Sequence, residues 1–311
     1  MNATTHALTR FTPLARFTPL ALCLALAACG GGSSDGGQLG TIDPIPLPLD
    51  EDYAPVAARL AVSYPAVIAT AYSDLFDLVG VIEDECDEFL TETSLGNDTY
   101  RLEVSNCTVQ SSTSSPITTH ERMTNLLLTY TDQSPDTRHI DIATFEDDVE
   151  DIDGFFRTVT LTRADGTLTA TLDGTGSLAL ANTDAGITRR IDVYDSTNNL
   201  VEDQSSLQHF QLQDYDLALD VTPTTSSAAH NGRLTVFVGA IEAYIDIETA
   251  ATLEQNNGED CPYAGQLLVT GSNEDEMSIL FTGTDVSIMI NGNGLGYPAT
   301  CAEFIEWTAE D

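Results

Sequence analysis

The sequence predicts a mainly β protein. Its expected form is a long curved antiparallel sheet, or a flattened barrel or sandwich, of about a dozen strands with one N-terminal helical segment. Three observations lead there. From Thr99 onward, apolar residues recur at every second position. Short polar turns, and no helical stretches, separate these runs. Only residues 51–84 carry apolar residues at helical spacing.

Within 51–84, Ser63 and Pro65 are helix-start signals. Val67, Ile68, Ala71, Tyr72, Leu75, Leu78, Val79 and Ile82 then share one face. Ala54 to Val62 read as a preceding turn or two, broken or kinked at Pro65. The stripe reads as a core face.

The strands follow in order. TYRLEV sets Tyr100, Leu102 and Val104 against Arg101 and Glu103, and NLLLTY aligns Leu126, Leu128 and Tyr130. RHIDIATF supplies Ile140 and Ile142, and RTVTLTR supplies Val159 and Leu161. Asp165-Gly166 reads as a hairpin answered by TLTATL, and Asp173-Gly174 as a second turn into SLALA. ITRRIDVYD adds Ile187, Ile191 and Val193. In FQLQDYDLALDV the apolar parity changes between Leu212 and Tyr215, which demands a bulge near Gln213-Asp214. IEAYIDIET alternates cleanly, and GQLLVTG, MSILF and DVSIMIN form a closing meander with turns at Ser272–Asp275 and Gly283–Asp285. Clean alternation implies antiparallel pairing with one wet face, and no βαβ pattern supports a parallel sheet.

The N-terminus carries a different message. Arg10 and Arg16 precede an apolar run from Phe17 to Ala28, interrupted only by Thr18. A basic region, a short greasy core and small residues before a cut are the features of a secretory signal peptide. The run is too short to span a bilayer, which needs ~20 residues. Residues 26–29, Leu-Ala-Ala-Cys, follow the pattern of a lipobox, and the segment resembles the start of bacterial lipoproteins. That resemblance implies cleavage before Cys29, lipid attachment to Cys29 and a lipid-anchored life in the envelope. Two or more acyl chains give stable anchoring, at ~0.8 kcal/mol per buried methylene. Gly30, where Asp favours inner-membrane retention in that family, points to the outer membrane. The expected organisation is a signal peptide over 1–28, a Gly/Ser/Pro-rich tether over 29–50 and one β-rich domain over 51–311. The stretch CPYAGQLLVTG and the residues after it loosely resemble uncharacterised acidic β-rich envelope lipoproteins, which implies no activity.

Charge narrows the partners. The chain of 311 residues holds 49 acids, 11 arginines and no lysine. Loss of Arg10 and Arg16 with the signal takes the formal net charge from −38 to −40. Such a chain repels nucleic-acid backbones and anionic head groups, so the membrane is expected to hold it through lipid alone. Without lysine there is no Schiff base and no phosphate-loop lysine.

After Cys23 and Cys29 are set aside, Cys86, Cys107, Cys261 and Cys301 remain. Four cysteines in an exported chain imply two disulfides among three connectivities. Nearest-neighbour pairing, Cys86–Cys107 and Cys261–Cys301, pins each end of the domain.

Catalytic motifs are not recognisable: no GxSxG, HExxH or GxGxxG occurs. His120, His139, His209 and His230 sit at no metal-ligand spacing from one another. The weak calcium candidate is EDDVEDIDG, with Glu146, Asp147, Asp148, Glu150, Asp151 and Asp153, which reads more simply as a solvated acidic loop. No cofactor is expected. The expected role is a non-catalytic, lipid-anchored binding or structural domain. The alternative is a carrier holding an acyl chain or other hydrophobe in a concave half-barrel, similar in outline to lipoprotein carriers. A hydrolase of unknown substrate ranks third.

Overall fold

A computed structural model of the chain describes residues 44–309 apart from 115–116, 135, 155, 173–176 and 239–240. Cys29 and the expected signal and lipobox lie outside these residues, as does the expected Asp173-Gly174 turn.

The chain begins with a two-residue strand, β1 (Ile45–Pro46), and a 32-residue helix, α1 (Ala54–Glu85). The main strands come next, without interruption by any further long helix. They are β2 (Leu90–Gly96), β3 (Thr99–Ser114), β4 (Ile117–Ser134), β5 (Thr137–Asp153), β6 (Phe156–Leu172) and β7 (Leu178–Tyr194). Then come β8 (Ser206–Val221), β9 (Thr225–Val238), β10 (Ile241–Asn256), β11 (Ala264–Thr270), β12 (Glu276–Thr282), β13 (Asp285–Ile290) and β14 (Asn293–Gly294). A nine-residue helix, α2 (Cys301–Ala309), ends the described chain.

All the strands belong to one antiparallel sheet, except that β1 pairs in parallel with β10. The order runs β14 to β2 in strict sequence, so each strand pairs with its chain neighbour and the sheet stays open, with β2 and β14 at its ends. The expected mainly β, curved antiparallel class is therefore correct, and the barrel and sandwich variants of it are not what forms.

The strands are longer than the alternation runs suggest. RTVTLTR and TLTATL are one strand, β6, and SLALA and ITRRIDVYD are one strand, β7. Asp165-Gly166 is thus not a hairpin. Gly166 has φ +101°, and a side chain there would strike the Asp184 carbonyl and Ala185 of β7. The glycine permits a close approach of two backbones inside the sheet, a use that a turn dipeptide does not announce. Because β6 keeps its parity through Gly166, Thr162 and Ala164 share the buried face with Leu168. Val159 and Leu161 lie on the other face and are only half-buried, against expectation. The bulge expected near Gln213-Asp214 is present: the β8–β9 register shifts between Gln213 and Asp216, and Asp214 has φ +48°.

The helix also differs from the sequence reading. It starts at Ala54, not near Ser63, and runs through Pro65. Asp50 makes the earlier start possible: its carboxylate accepts from the Asp52 and Tyr53 amides, and its carbonyl accepts from Ala54 N–H. Pro55 sits in the first turn, where a missing N–H costs nothing.

At ~1.5 Å per residue, α1 is about 48 Å long and crosses the strands. Progress along it is progress across the sheet. Ala61 faces His230 of β9, Tyr72 meets Phe210 of β8 edge-on at 6.1 Å between ring centroids, and Asp74 reaches Arg189 of β7 at 3.1 Å. Leu75, Phe76 and Val79 close on Leu128 of β4 and on Ile140, Ile142 and Phe145 of β5. Ala57, Ile68, Tyr72 and Ile82 have no more than traces of exposed surface, nor do Leu168, Phe210, Leu234 and Ile279 of the sheet. Each large apolar side chain buried this way contributes about 1.5–3 kcal/mol. By length and composition α1 could cross a membrane. Its apolar stripe is instead the cover of the sheet.

Two disulfides pin the ends. Cys86–Cys107 ties the C-terminus of α1 to β3, with Cα atoms 5.8 Å apart. Cys261–Cys301 ties the β10–β11 connection to the start of α2, with Cα atoms 6.0 Å apart. Both are the nearest-neighbour pairings. In the chain-entropy account each contributes roughly 3–4 kcal/mol. Phe304 of α2 packs edge-on against Phe281 of β12, and Trp307 packs against Phe304.

The Tyr72 hydroxyl is buried and has no hydrogen-bond partner among the described residues. Burial and the nearby Asp165 raise its pKa. Removing an unpaired buried hydroxyl relieves a desolvation cost of about 1–3 kcal/mol. Tyr72→Phe is therefore expected to leave chemical stability unchanged or raise it by about 1 kcal/mol in urea unfolding. A clear loss would show that the hydroxyl has a partner.

Candidate functional site

Among the described residues, polar groups interrupt the apolar seam between α1 and the sheet at several places: Glu83 of α1 with Arg138 and Tyr130 of the sheet, and two clusters that hold the histidines His120 and His230. The first stands where α1 ends. Along β4, the helix-facing positions change from Tyr130, Leu128 and Leu126 to Thr124, Arg122 and His120. Strand alternation keeps all six on one face. The facing positions of β5 are Asp147, opposite Thr124, and Asp151, opposite His120. Glu85, in the last turn of α1, descends onto them.

The result is a chain of charge-assisted contacts. Glu85 accepts from Arg122 Nη1 at 2.6 Å, and Arg122 Nε lies 3.2 Å from Asp147 Oδ1. Thr124 donates its hydroxyl to the same Asp147 oxygen at 2.6 Å. His120 Nδ1 lies 2.7 Å from Asp151 Oδ1, and its Nε2 lies 3.7 Å from Glu85 Oε2. Arg122 and Asp147 are nearly fully buried, at 7% and 2% side-chain exposure. Burial raises the Asp147 carboxyl pKa, against the opposing pull of the Thr124 hydroxyl and the Arg122 charge. A buried pair of this kind holds its two elements in register more than it adds net stability.

Ser111 of β3, His120 and Asp151 stand side by side in register across three strands. The row has the residue types of a serine hydrolase but not the contacts. The ring nitrogen that would serve a nucleophile is turned to Glu85, and no hydrogen bond joins it to Ser111. Among the described residues, no group of three or more His, Cys, Asp or Glu is arranged to hold a metal ion.

The acidic run 146–153 accordingly needs correction. It is not a loop but the second half of β5, between β4 and β6. Alternation sends Asp147, Asp151 and Asp153 to one face and Glu146, Asp148 and Glu150 to the other, so they cannot converge on one cation. Asp148 instead pairs with Arg163 at 2.5 Å, and Glu150 takes a two-pronged contact from Arg157 at 3.0 and 3.1 Å. The misreading has a plain cause. Acidity on consecutive positions looks like solvation, while the arginines and the histidine that answer it sit on neighbouring strands.

The second cluster lies under the first half of α1. His230 of β9 is wholly buried, and its Nδ1 lies 2.6 Å from the Tyr215 hydroxyl of β8. Its Nε2 has no well-aligned partner, yet the Ala61 carbonyl is near enough to favour a proton on the ring. That carbonyl is available because Pro65, four residues on, has no N–H to offer it. The proline that reads as a helix breaker thus opens an acceptor over a buried histidine. Burial dominates and lowers the His230 pKa from 6.5 to about 4, so the ring is neutral. His139 and His209 are strand residues on the opposite face. His139 bonds Thr169 at 3.2 Å; His209 bonds Thr188 at 2.8 Å and lies 3.3 Å from Glu242.

Of the site residues expected from sequence, the four disulfide cysteines pair as expected, and Asp147, Asp148, Glu150 and Asp151 fall into four separate ion pairs. The Glu85–Arg122–Asp147 network was not anticipated. Its one visible signal is the switch along THERMTNLLLTY from polar to apolar at alternate positions.

Beneath α1, among Leu75, Phe76, Val79, Leu128, Ile140, Ile142 and Phe145, the open space is only about 10 Å³. A shallow surface cleft of about 520 Å³ lies beside the Cys261–Cys301 bridge, with Glu259, Asp260 and Thr284 at its walls. Comparison of the chain with protein-family models, with curated proteins and with solved structures finds no match.

Arg122→Met leaves Asp147 buried beside Thr124 alone, which is expected to cost about 3–5 kcal/mol. Adding Asp147→Asn should recover a large part of that loss in urea titrations. Equal losses in the single and double variants would contradict the coupling.

His230 adds a pH dependence. Its folded pKa is depressed, so its stabilising contribution is complete above pH 6.5 and fades as pH falls toward 4, by on the order of 3 kcal/mol. The stability difference between wild type and His230→Leu/Tyr215→Phe should therefore shrink across that window. A difference that is flat with pH would contradict a neutral buried ring.

Proposed function

We propose that this chain is a lipid-anchored, non-catalytic protein of the bacterial outer membrane whose open β sheet serves binding or envelope architecture. The observation that carries the anchor is Leu-Ala-Ala-Cys at 26–29, behind an apolar run and ahead of a Gly- and Pro-rich segment. The described end of that segment supports it. Pro46 and Ile45 lie along β10, Leu47 N–H donates to the Tyr244 carbonyl at 2.9 Å, and Leu47 and Leu49 are buried. A pull on the segment would load a sheet strand directly. Two disulfides fit an oxidising compartment.

The binding or structural reading rests on the filled concave face. A carrier needs an apolar cavity of several hundred cubic ångströms. The space under α1 is about 10 Å³, room for about one water molecule and not for an acyl chain. The carrier alternative would need α1 to lift away. Against a hydrolase, the Ser111-His120-Asp151 row is closed by Glu85.

The test is mass spectrometry of the native protein, with and without reduction. The expected species begins at residue 29, carries two or three acyl chains and gains four hydrogen masses on reduction. A mature chain with an unmodified residue 29 would remove the anchor.

A further inference from the structure

The two ends of the sheet are treated differently. At the β13 end the chain folds back along its own edge. Leu295 N–H donates to the Ile288 carbonyl at 3.0 Å, Val286 N–H to the Ala299 carbonyl at 2.9 Å, and Cys301 N–H to the Thr284 carbonyl at 3.0 Å. β14, α2 and the Cys261–Cys301 bridge complete that seal. At the other end no described residue pairs with the outer edge of β2. Every β2 residue after Leu90 is exposed, Leu95 at 56%, and Phe89 just before it at 44%. Beyond β2, the edge of β3 continues from Thr108 to Thr113 with the uncharged sequence Thr-Val-Gln-Ser-Ser-Thr and pairs only with β4.

Open strand edges invite pairing, and natural sheets blunt them with lysine, proline, bulges or cover. Here β2 has neither lysine nor proline, its one charge is Glu92, and its one register irregularity falls at its end, between Ser94 and Gly96. We propose that this edge is a docking rail for an extended, basic polypeptide segment that adds to the sheet as a further strand. This deepens the binding reading above by naming the class of partner.

Charge selects that occupant. Asp87, Glu88 and Glu92 flank the rail and are exposed. The described arginines around the rail are engaged: Arg101 with Glu103 at 2.9 Å, Arg122 with Glu85, and Arg138 with Asp132. Among the described residues the local field is therefore negative. A second copy of the chain would bring the same acids against themselves, on bodies each carrying a large negative charge. A strand with lysine or arginine at alternate positions meets both the backbone groups and the field. The seven residues of β2 span about 23 Å, which suits a partner of six or seven residues with Phe89 and Leu95 as apolar flanks.

The experiment uses the mature protein in detergent micelles, so that its outcome does not depend on what residue 29 carries. A fluorescein-labelled decapeptide of alternating lysine and threonine is titrated by anisotropy at physiological salt. An alternating glutamate and threonine peptide is the control. Saturable binding of the basic peptide alone is expected. Thr93→Lys, on the rail, should weaken it at least tenfold, while Thr224→Lys, in the exposed β8–β9 turn, makes the same charge change and should leave it within twofold. No saturable binding would overturn the proposal. So would equal weakening by both variants, which marks general charge attraction, or a dimer of the wild type in sedimentation that Thr93→Lys dissociates, which marks a second copy on the edge.

Discussion

The structure depends on one contact: the seat of α1 across the concave face of an open sheet. A meander of this size has no second sheet to cover its inner side and does not close on itself. Its inward Leu, Ile, Phe and Tyr residues therefore need a lid. A single helix of 32 residues supplies it by crossing the strands, so that successive stretches of it meet β9, β8, β7 and then β5 and β4. Several local choices follow from that crossing. Asp50 starts the helix early enough to reach the far strands. Bulges at Ala143-Thr144 of β5, Asn182-Thr183 of β7 and Asp214-Tyr215 of β8 keep inward positions inward along the sheet. The Cys86–Cys107 bridge fixes the end of the helix on β3.

The polar clusters are best understood as consequences of the same seat. An apolar helix on an apolar sheet could slide, because hydrophobic contact is non-directional. Glu85 against Arg122 and Asp147 stops the helix at one end, where the inner face of β4 turns polar. Ala61 against His230 and Tyr215 marks the other half, using the carbonyl that Pro65 leaves without its helical donor. These groups resemble catalytic residues in type, burial and pKa. Their partners are each other.

Much of this was legible in the sequence, and the failures are instructive. Period-two alternation gave away the β class, and the change of parity in FQLQDYDLALDV located a real bulge, because one buried face forces an extra residue wherever apolar positions change sides. Cysteine order gave the disulfides. Strand length was hidden. Asp165-Gly166 looks like a hairpin turn from local chemistry, but the glycine serves a close approach of β7 that only the tertiary pairing reveals. The acidic run 146–153 hid a strand for a related reason: its compensation comes from Arg122, Arg157, Arg163 and His120 on two neighbouring strands, at distances along the chain that no local pattern encodes. β2 and α2 were missed because neither carries a clean period. The network at Glu85 joins residues that only the crossing helix brings together.

The central claim is that α1 is a permanent part of the core and not a lid over a ligand space. Native-state hydrogen exchange of the α1 amides measures this directly. The account predicts that amides from Ile68 to Ile82 exchange only through global unfolding, with the same free energy and denaturant dependence as core amides of β5 and β8. Exchange of α1 through a separate, lower-energy opening, slowed further by added fatty acid, would contradict it.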